Sequence, residues 1–218
     1  MTADSIVKAK SKAHVIYKNS DGTRLPGVTT VLGILNKPAL VKWANNLGLQ
    51  GIDSNKYRDE MADIGTLAHR MILDHFSQQK TDTSEYSPDQ VELAENCLLS
   101  FYEWEKGHKL EVILAEAPLV SDELGYGGTV DCYCNLDGVP TLLDFKTGKA
   151  IYSEAIHQLA AYADLLGANN HSVAEARVLR IGRDDNEGFE EKLVKNLDKH
   201  FEIFEHCLAI YNLQKEVK

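Results

Sequence analysis

Leu142-Leu143-Asp144-Phe145-Lys146-Thr147-Gly148-Lys149 sets a carboxylate and an amine two residues apart in a run that otherwise begins as an apolar strand. Side chains of a strand alternate between its faces, so Leu143 and Phe145 share one face and Asp144 and Lys146 the other. The first is a core face. The second places an acid and a base side by side near the end of a strand. Upstream, Gly128 to Asn135 alternates in the same way, and between the two runs stands Asp137-Gly138, a strong two-residue hairpin signal. Counting outward from that turn pair puts Asp131 directly opposite Asp144. Opposed β carbons lie about 4.5–5.5 Å apart and like charges there repel, by roughly 3–4 kcal/mol at an effective dielectric of about 20. A bound divalent cation removes that penalty. Two convergent carboxylates with a lysine beside them are also what Mg²⁺-assisted phosphodiester hydrolysis requires: the metal is a Lewis acid on the phosphate and acidifies the attacking water, while the amine steadies that water or the developing charge. The same residues equally describe an ordinary hairpin with polar side chains on a solvated face, and this stretch alone does not choose between the two.

Composition narrows the field. At 218 residues and 24.3 kDa, with 44% hydrophobic and 26% charged residues, the chain suits one globular α/β domain spanning residues 1–218. No apolar run is long enough to span a membrane and no apolar leader opens the chain, which leads to the expectation of a cytoplasmic protein with no membrane partner. Cys97, Cys132, Cys134 and Cys207 form no CxxC pair, so neither a disulfide framework nor a zinc ribbon is indicated. Cys132 and Cys134 share the core-facing side of their strand and read as apolar packing. A net charge of −10 argues against a generic nucleic-acid coat. The charge is uneven, however. Residues 1–42 carry Lys8, Lys10, Lys12, Lys18, Arg24, Lys37 and Lys42 against Asp4 and Asp21. This basic arm or hairpin could track a phosphate backbone, or serve only as a soluble tail.

Along the chain, His14 to Tyr17 and Asp21-Gly22 predict a hairpin ending at Pro26-Gly27, and Thr29 or Thr30 can cap a short helix running to about Asn36. A helix opening after Pro38 carries Trp43, read as core. A helical stretch from Ser54 to Gln79 is interrupted by Gly65-Thr66, where glycine costs up to about 1 kcal/mol against alanine, so close approach of another backbone or of a ligand should offset it. His69 follows one turn later. Ser87-Pro88-Asp89-Gln90 is a helix start with a capping box, and that helix runs to about Lys106 with Trp104 facing the core. Strands follow at Leu110–Ala117, with Glu116 near the end, and at Gly128–Asn135 after the turn Gly125-Tyr126-Gly127-Gly128. The Asp144 strand is followed by a helix over Ser153–Leu166 that puts Gln158 and Tyr162 one turn apart, strands at Ala174–Ile181 and Phe189–Val194, and a last helix from about Leu197 to Gln214.

Taken in order, Gly65-Thr66-x-x-His69, Gly128-x-x-Asp131, Asp144-Phe145-Lys146-Thr147 and Gln158-x-x-x-Tyr162 resemble the motif series of RecB-type nucleases in the PD-(D/E)XK superfamily. The opening Arg24-Leu25-Pro26-Gly27-Val28-Thr29-Thr30-Val31-Leu32 is similar to that of phage-encoded exonucleases of this group and of the mitochondrial genome maintenance exonuclease. The resemblance implies a restriction-endonuclease-like core, a central mixed β-sheet flanked by α-helices. It implies His69, Asp131, Asp144 and the Phe145 carbonyl as ligands of Mg²⁺, with Mn²⁺ able to substitute, and Lys146 as the catalytic lysine. Gln158 and Tyr162 match the helix motif that orders the site and touches DNA; Thr66, Thr147 and Lys149 neighbour the motifs as substrate contacts. Glu116 falls where many members carry a further acid. Iron–sulfur members place three cysteines beyond the position of Tyr162, where this chain has Cys207 alone, so no cluster is expected. DNA, single- or double-stranded, is the implied substrate, in phage or bacterial replication, recombination or repair. A recombination or single-strand-binding protein becomes a candidate partner, and a bacterial host's cytoplasm the setting if the chain is phage-encoded.

Rival readings fare less well. A P-loop would need glycine where Leu143 stands and Ser or Thr where Ala150 stands. A zinc hydrolase built on Cys132 and Cys134 lacks the required spacing. A non-catalytic DNA-binding module of the same fold should have lost a ligand or the lysine, and none is missing. Exonuclease is favoured over structure-specific endonuclease, although the motifs do not distinguish them.

Overall fold

The computed structural model describes residues 15–217. A short antiparallel hairpin, β1 (Tyr17–Lys18) against β2 (Arg24–Leu25), opens the described chain and is followed by helices α1 (Val28–Leu32), α2 (Pro38–Leu49), α3 (Ser54–Phe76) and α4 (Pro88–Glu105). Strands β3 (Leu110–Ser121), β4 (Tyr126–Leu136) and β5 (Val139–Lys146) come next, then α5 (Ser153–Ala168), β6 (Glu175–Ile181), β7 (Phe189–Leu193) and α6 (Leu197–Glu216).

Local chemistry explains most of these boundaries. In α4 the Ser87 hydroxyl accepts from the Gln90 N–H at 3.3 Å and Gln90 Oε1 accepts from the Ser87 N–H at 3.0 Å, with Pro88 in the first turn. The cap of α3 is Asp53, whose carboxylate accepts from the N–H groups of Asn55 and Lys56. That helix runs through Gly65-Thr66 without the expected interruption. A β carbon at Gly65 would lie 2.9 Å from Thr147 Oγ1, so the glycine is the notch that seats the segment after β5. The expected threonine cap of α1 is also corrected: Gly27 caps the helix, and Thr29 and Thr30 lie inside it. Pro26 O accepts from the Gly127 N–H at 3.0 Å and Gly27 bridges Gly127, which fixes the chain ahead of the threonines. Trp43, expected in the core, is only half-buried; α2 buries no residue, and the Trp43 ring meets Tyr57 of α3 at 6.2 Å.

The main sheet has the order β3-β4-β5-β6-β7. Neighbours are antiparallel except β5 and β6, which run parallel and are joined by α5. The expected central mixed sheet flanked by helices is therefore the fold. β3 continues through Pro118 to Ser121, and Ser121 pairs with Tyr126, so Tyr126, Gly127 and Gly128 belong to β4 rather than to the turn before it. Apolar clusters cover both faces. One gathers Leu143 and Phe145 with Cys132 and Cys134 against α3 and α4; the other gathers Leu142, Tyr133 and Val178 against α1, α5 and α6. The solvated-face alternative for Asp144 is thereby excluded, since Asp144 is 0% exposed. Among the described residues no helix is long and apolar enough to cross a membrane.

Candidate active site

The Asp137-Gly138 turn sets the β4–β5 register as counted from the sequence. Leu136 faces Val139, Cys132 faces Leu143, and one step beyond that last pair Asp131 stands opposite Asp144. There the ladder changes character, because the Phe145 N–H donates to Asp131 Oδ2 at 2.9 Å. On the other side of β4, Ala115 pairs with Cys132 and Ala117 with Val130, which puts Glu116 opposite Asp131. Glu116 adopts φ 46°, a conformation that a residue with a side chain rarely takes in a strand. Glu116, Asp131 and Asp144 thus form a row across three neighbouring strands.

His69 reaches this row from α3. Its Nδ1 lies 3.7 Å from Asp131 Oδ1 and its ring packs edge-on to Phe145. Ligand-type atoms of His69, Glu116 and Asp131 all lie within 4.8 Å of one another, a grouping able to hold a metal ion. The sequence-based set combined His69 and Asp131 with Asp144. The structure brings Glu116 into that group, while Asp144 stands one strand over against Lys146.

Lys146 Nζ lies 2.7 Å from Asp144 Oδ2. This is an ion-pair contact without hydrogen-bond alignment, and both Asp144 oxygens remain buried with no hydrogen-bond partner among the described residues. Burial pushes the Asp144 carboxyl up to about 7; Lys146 works against the shift and Asp131 adds to it. For Lys146 burial favours the neutral amine, but Asp144 and Asp131 outweigh it and hold the ammonium above its ordinary value. A buried carboxylate lacking donors is costly, and two bare oxygens beside a group of metal-ligating side chains are the feature a divalent cation would satisfy.

The wall beside the acids is built by α5. Gln158 Nε2 donates to Tyr162 Oη at 2.7 Å, and burial, then Asp131 and Asp144, raise the Tyr162 phenol well above its ordinary value. A β carbon at Gly128 would lie 2.6 Å from the Tyr162 ring, so glycine is required where β4 passes under the tyrosine. The N-terminal hairpin closes over the same strand: Tyr17 occupies the space that a β carbon at Gly127 would fill, and its hydroxyl meets Thr129 Oγ1 at 2.9 Å.

These parts enclose a cleft of about 900 Å³ lined by His69, Glu116, Asp131, Lys146, Gln158 and Tyr162. Asp144 and Phe145 are buried and do not line it. Thr66, Thr147 and Lys149 do not line it either; the Thr66 hydroxyl donates back to Ala62 O within α3, and Thr147 packs on Gly65. Residues that sequence reasoning passed over do line it, namely Tyr17 and Thr129, and Tyr211 and Lys215 of α6. Tyr17 sat in an alternating hairpin run, but no motif pointed to α6.

No known family model matches the chain, and no curated protein matches it. Among solved structures it is similar to LHK-Exo, an alkaline exonuclease from Laribacter hongkongensis, at 13% identity and TM-score 0.43 over 72% of this chain and 81% of that one. It is also similar to LHK-Exo in complex with dAMP, at 10% identity and TM-score 0.43 over 72% of this chain and 86% of that one. Likeness at this level assigns no activity.

Proposed function

We propose that the chain is a metal-dependent deoxyribonuclease, an exonuclease that hydrolyses phosphodiester bonds of DNA with Mg²⁺, or with Mn²⁺ in its place. The observation that carries this reading is the row Glu116, Asp131 and Asp144, with His69 and Lys146 against it at an open cleft. The RecB-type motif series supports it, because the motif residues His69, Asp131, Lys146, Gln158 and Tyr162 meet in that cleft.

His69, Glu116 and Asp131 would hold the cation, with Asp144 and the Phe145 carbonyl next to them. When bound, the cation supplies a Lewis acid for the phosphate and lowers the pKa of the attacking water. The chain's own groups do the rest. The Phe145 N–H anchors one oxygen of Asp131 and so orients the other toward His69. Lys146 is 28% exposed and charged, placed to donate to the incoming water or to a non-bridging phosphate oxygen. The bonded pair Gln158 and Tyr162 presents donors along the wall where the strand would lie.

The test is digestion of end-labelled linear single and double strands beside a closed circle, in Mg²⁺, Mn²⁺ and Ca²⁺. Linear DNA should shorten from its ends in Mg²⁺ or Mn²⁺ while the circle persists. Ca²⁺ should support little cleavage, because its coordination is loose. Asp131→Ala and Asp144→Asn should abolish cleavage, and Lys146→Ala should slow it by roughly 100-fold or more. Full activity in either aspartate variant would sink the reading, and loss of the circle would move it to an endonuclease.

A further inference from the structure

The chain carries −10 overall, and the floor of the proposed site is acidic, with Glu116 and Asp131 lining the cleft. A polyanion cannot be held there by the metal alone. Most cations near the site are already committed to carboxylates: Lys146 to Asp144, Lys37 to Glu154, Arg70 to Asp74 and Arg183 to Glu187. Two cations that line the cleft are not. Arg24 on β2 and Lys215 in the last turn of α6 are exposed and have no carboxylate partner among the described residues. Lys215 Nζ rests over the Tyr211 ring, 4.4 Å from its centroid. Attraction to a ring positions an ammonium without neutralising it, so its full charge stays available. Both residues belong to elements outside the main sheet, and hence to different walls from the acids and Lys146.

From this convergence we infer that Arg24 and Lys215, with Tyr211 positioning the lysine, form a second anion subsite that takes a non-scissile backbone phosphate of the DNA strand. The inference rests on the nuclease reading for its ligand but not for its geometry. It divides the labour of the cleft: Lys146 serves the phosphate being cut, while the β2 and α6 pair grips a neighbouring phosphate and sets how the strand enters. The contact carries no base information, because a phosphate is the same in every nucleotide.

The experiment is fluorescence anisotropy of a labelled oligothymidylate in Ca²⁺ over a range of salt concentrations, with inorganic tripolyphosphate as a second probe. The proteins are wild type, Arg24→Gln, Lys215→Gln and the double variant; Lys109→Gln, a Glu111-paired surface lysine outside the cleft, is the control. Each lost phosphate contact on a single strand lowers the slope of log K against log salt by about 0.7, so the double variant should be flatter by about 1.4. The control should match wild type, and melting curves should confirm that all variants are folded. An unchanged slope in the folded double variant, with wild type binding the strand, overturns the subsite and leaves the nuclease reading intact. Tripolyphosphate binding that the double variant loses, with no DNA binding by wild type, keeps the anion subsite and removes the nuclease reading. Wild type binding neither probe overturns the subsite outright.

Discussion

Asp144 is where the cost of the site is concentrated. Its unfolded-state carboxyl titrates near 3.8 and its folded-state carboxyl is pushed up to about 7, chiefly by burial, with Lys146 offsetting and Asp131 reinforcing. Between those values the native chain holds a proton that the unfolded chain has lost. Stability of the metal-free protein therefore falls as pH rises through that window and levels off above it. Asp144→Asn removes the ionisation. In chelator, thermal melts from about pH 5 to about pH 8 should show the decline in wild type and not in Asp144→Asn, with the variant melting higher at the alkaline end. Parallel curves would mean that the Asp144 carboxyl does not titrate in this window.

The two helices that wall the cleft lean on each other through histidines. Nδ1 of His157 on α5 lies 3.0 Å from Nδ1 of His200 on α6, with ring centroids 5.1 Å apart. A contact between two ring nitrogens needs one to donate and the other to accept, so protonation of both rings breaks it. Burial first, then His200, hold His157 below its ordinary value, while Glu154 pulls it upward. For a histidine kept neutral the unfolded chain takes the proton first. This contribution to stability is present above the ordinary histidine pKa of about 6.5 and is lost as pH falls below it. It opposes the Asp144 effect, so variants rather than the wild-type profile separate the two. His157→Gln should flatten the acid side of the stability profile, measured by denaturant unfolding at stepped pH, while leaving the Asp144-dependent slope in place. An acid limb as steep in His157→Gln as in wild type would count against the histidine contact.

Across the whole molecule, the cleft joins parts far apart in the chain: the hairpin at Tyr17 and Arg24, the sheet at Glu116 and Asp131, and the end of α6 at Lys215. An acidic body organised in this way should gain stability from cation binding, since an ion bound only by the native state raises stability by about 2.7 kcal/mol at 100 times its Kd. Mg²⁺ or Mn²⁺ should raise the melting temperature of wild type and leave that of Asp131→Ala nearly unchanged, as scanning calorimetry would record. The basic arm read from the sequence divides on inspection. Lys37 is paired with Glu154 and Arg24 lines the cleft, whereas Lys8, Lys10 and Lys12 lie outside the described residues.

What the sequence determined by itself was local or set by counting. The Asp137-Gly138 turn dictated which residues of β4 and β5 meet, because a two-residue turn leaves the pairing no other register, and with it the confrontation of Asp131 and Asp144. Ser87 and Gln90 dictated the start of α4 because the capping box is a bond between residues three apart. The tertiary structure alone decided what depends on meetings between distant segments. Glu116 reaches Asp131 only because the β3 register shifts between Val112 and Leu114, and a bulge of that kind leaves no mark in strand periodicity. Asp144 lost its solvated face to helices that the hairpin's own residues say nothing about. Trp43 stayed half-buried because α2 found no core to enter, although its residue type favoured burial. Lys215 came to the cleft through the packing of α6 against α5 and α1. Turn chemistry and capping act between neighbours along the chain, while burial and the pairing of charges are decided by which surfaces the fold brings together.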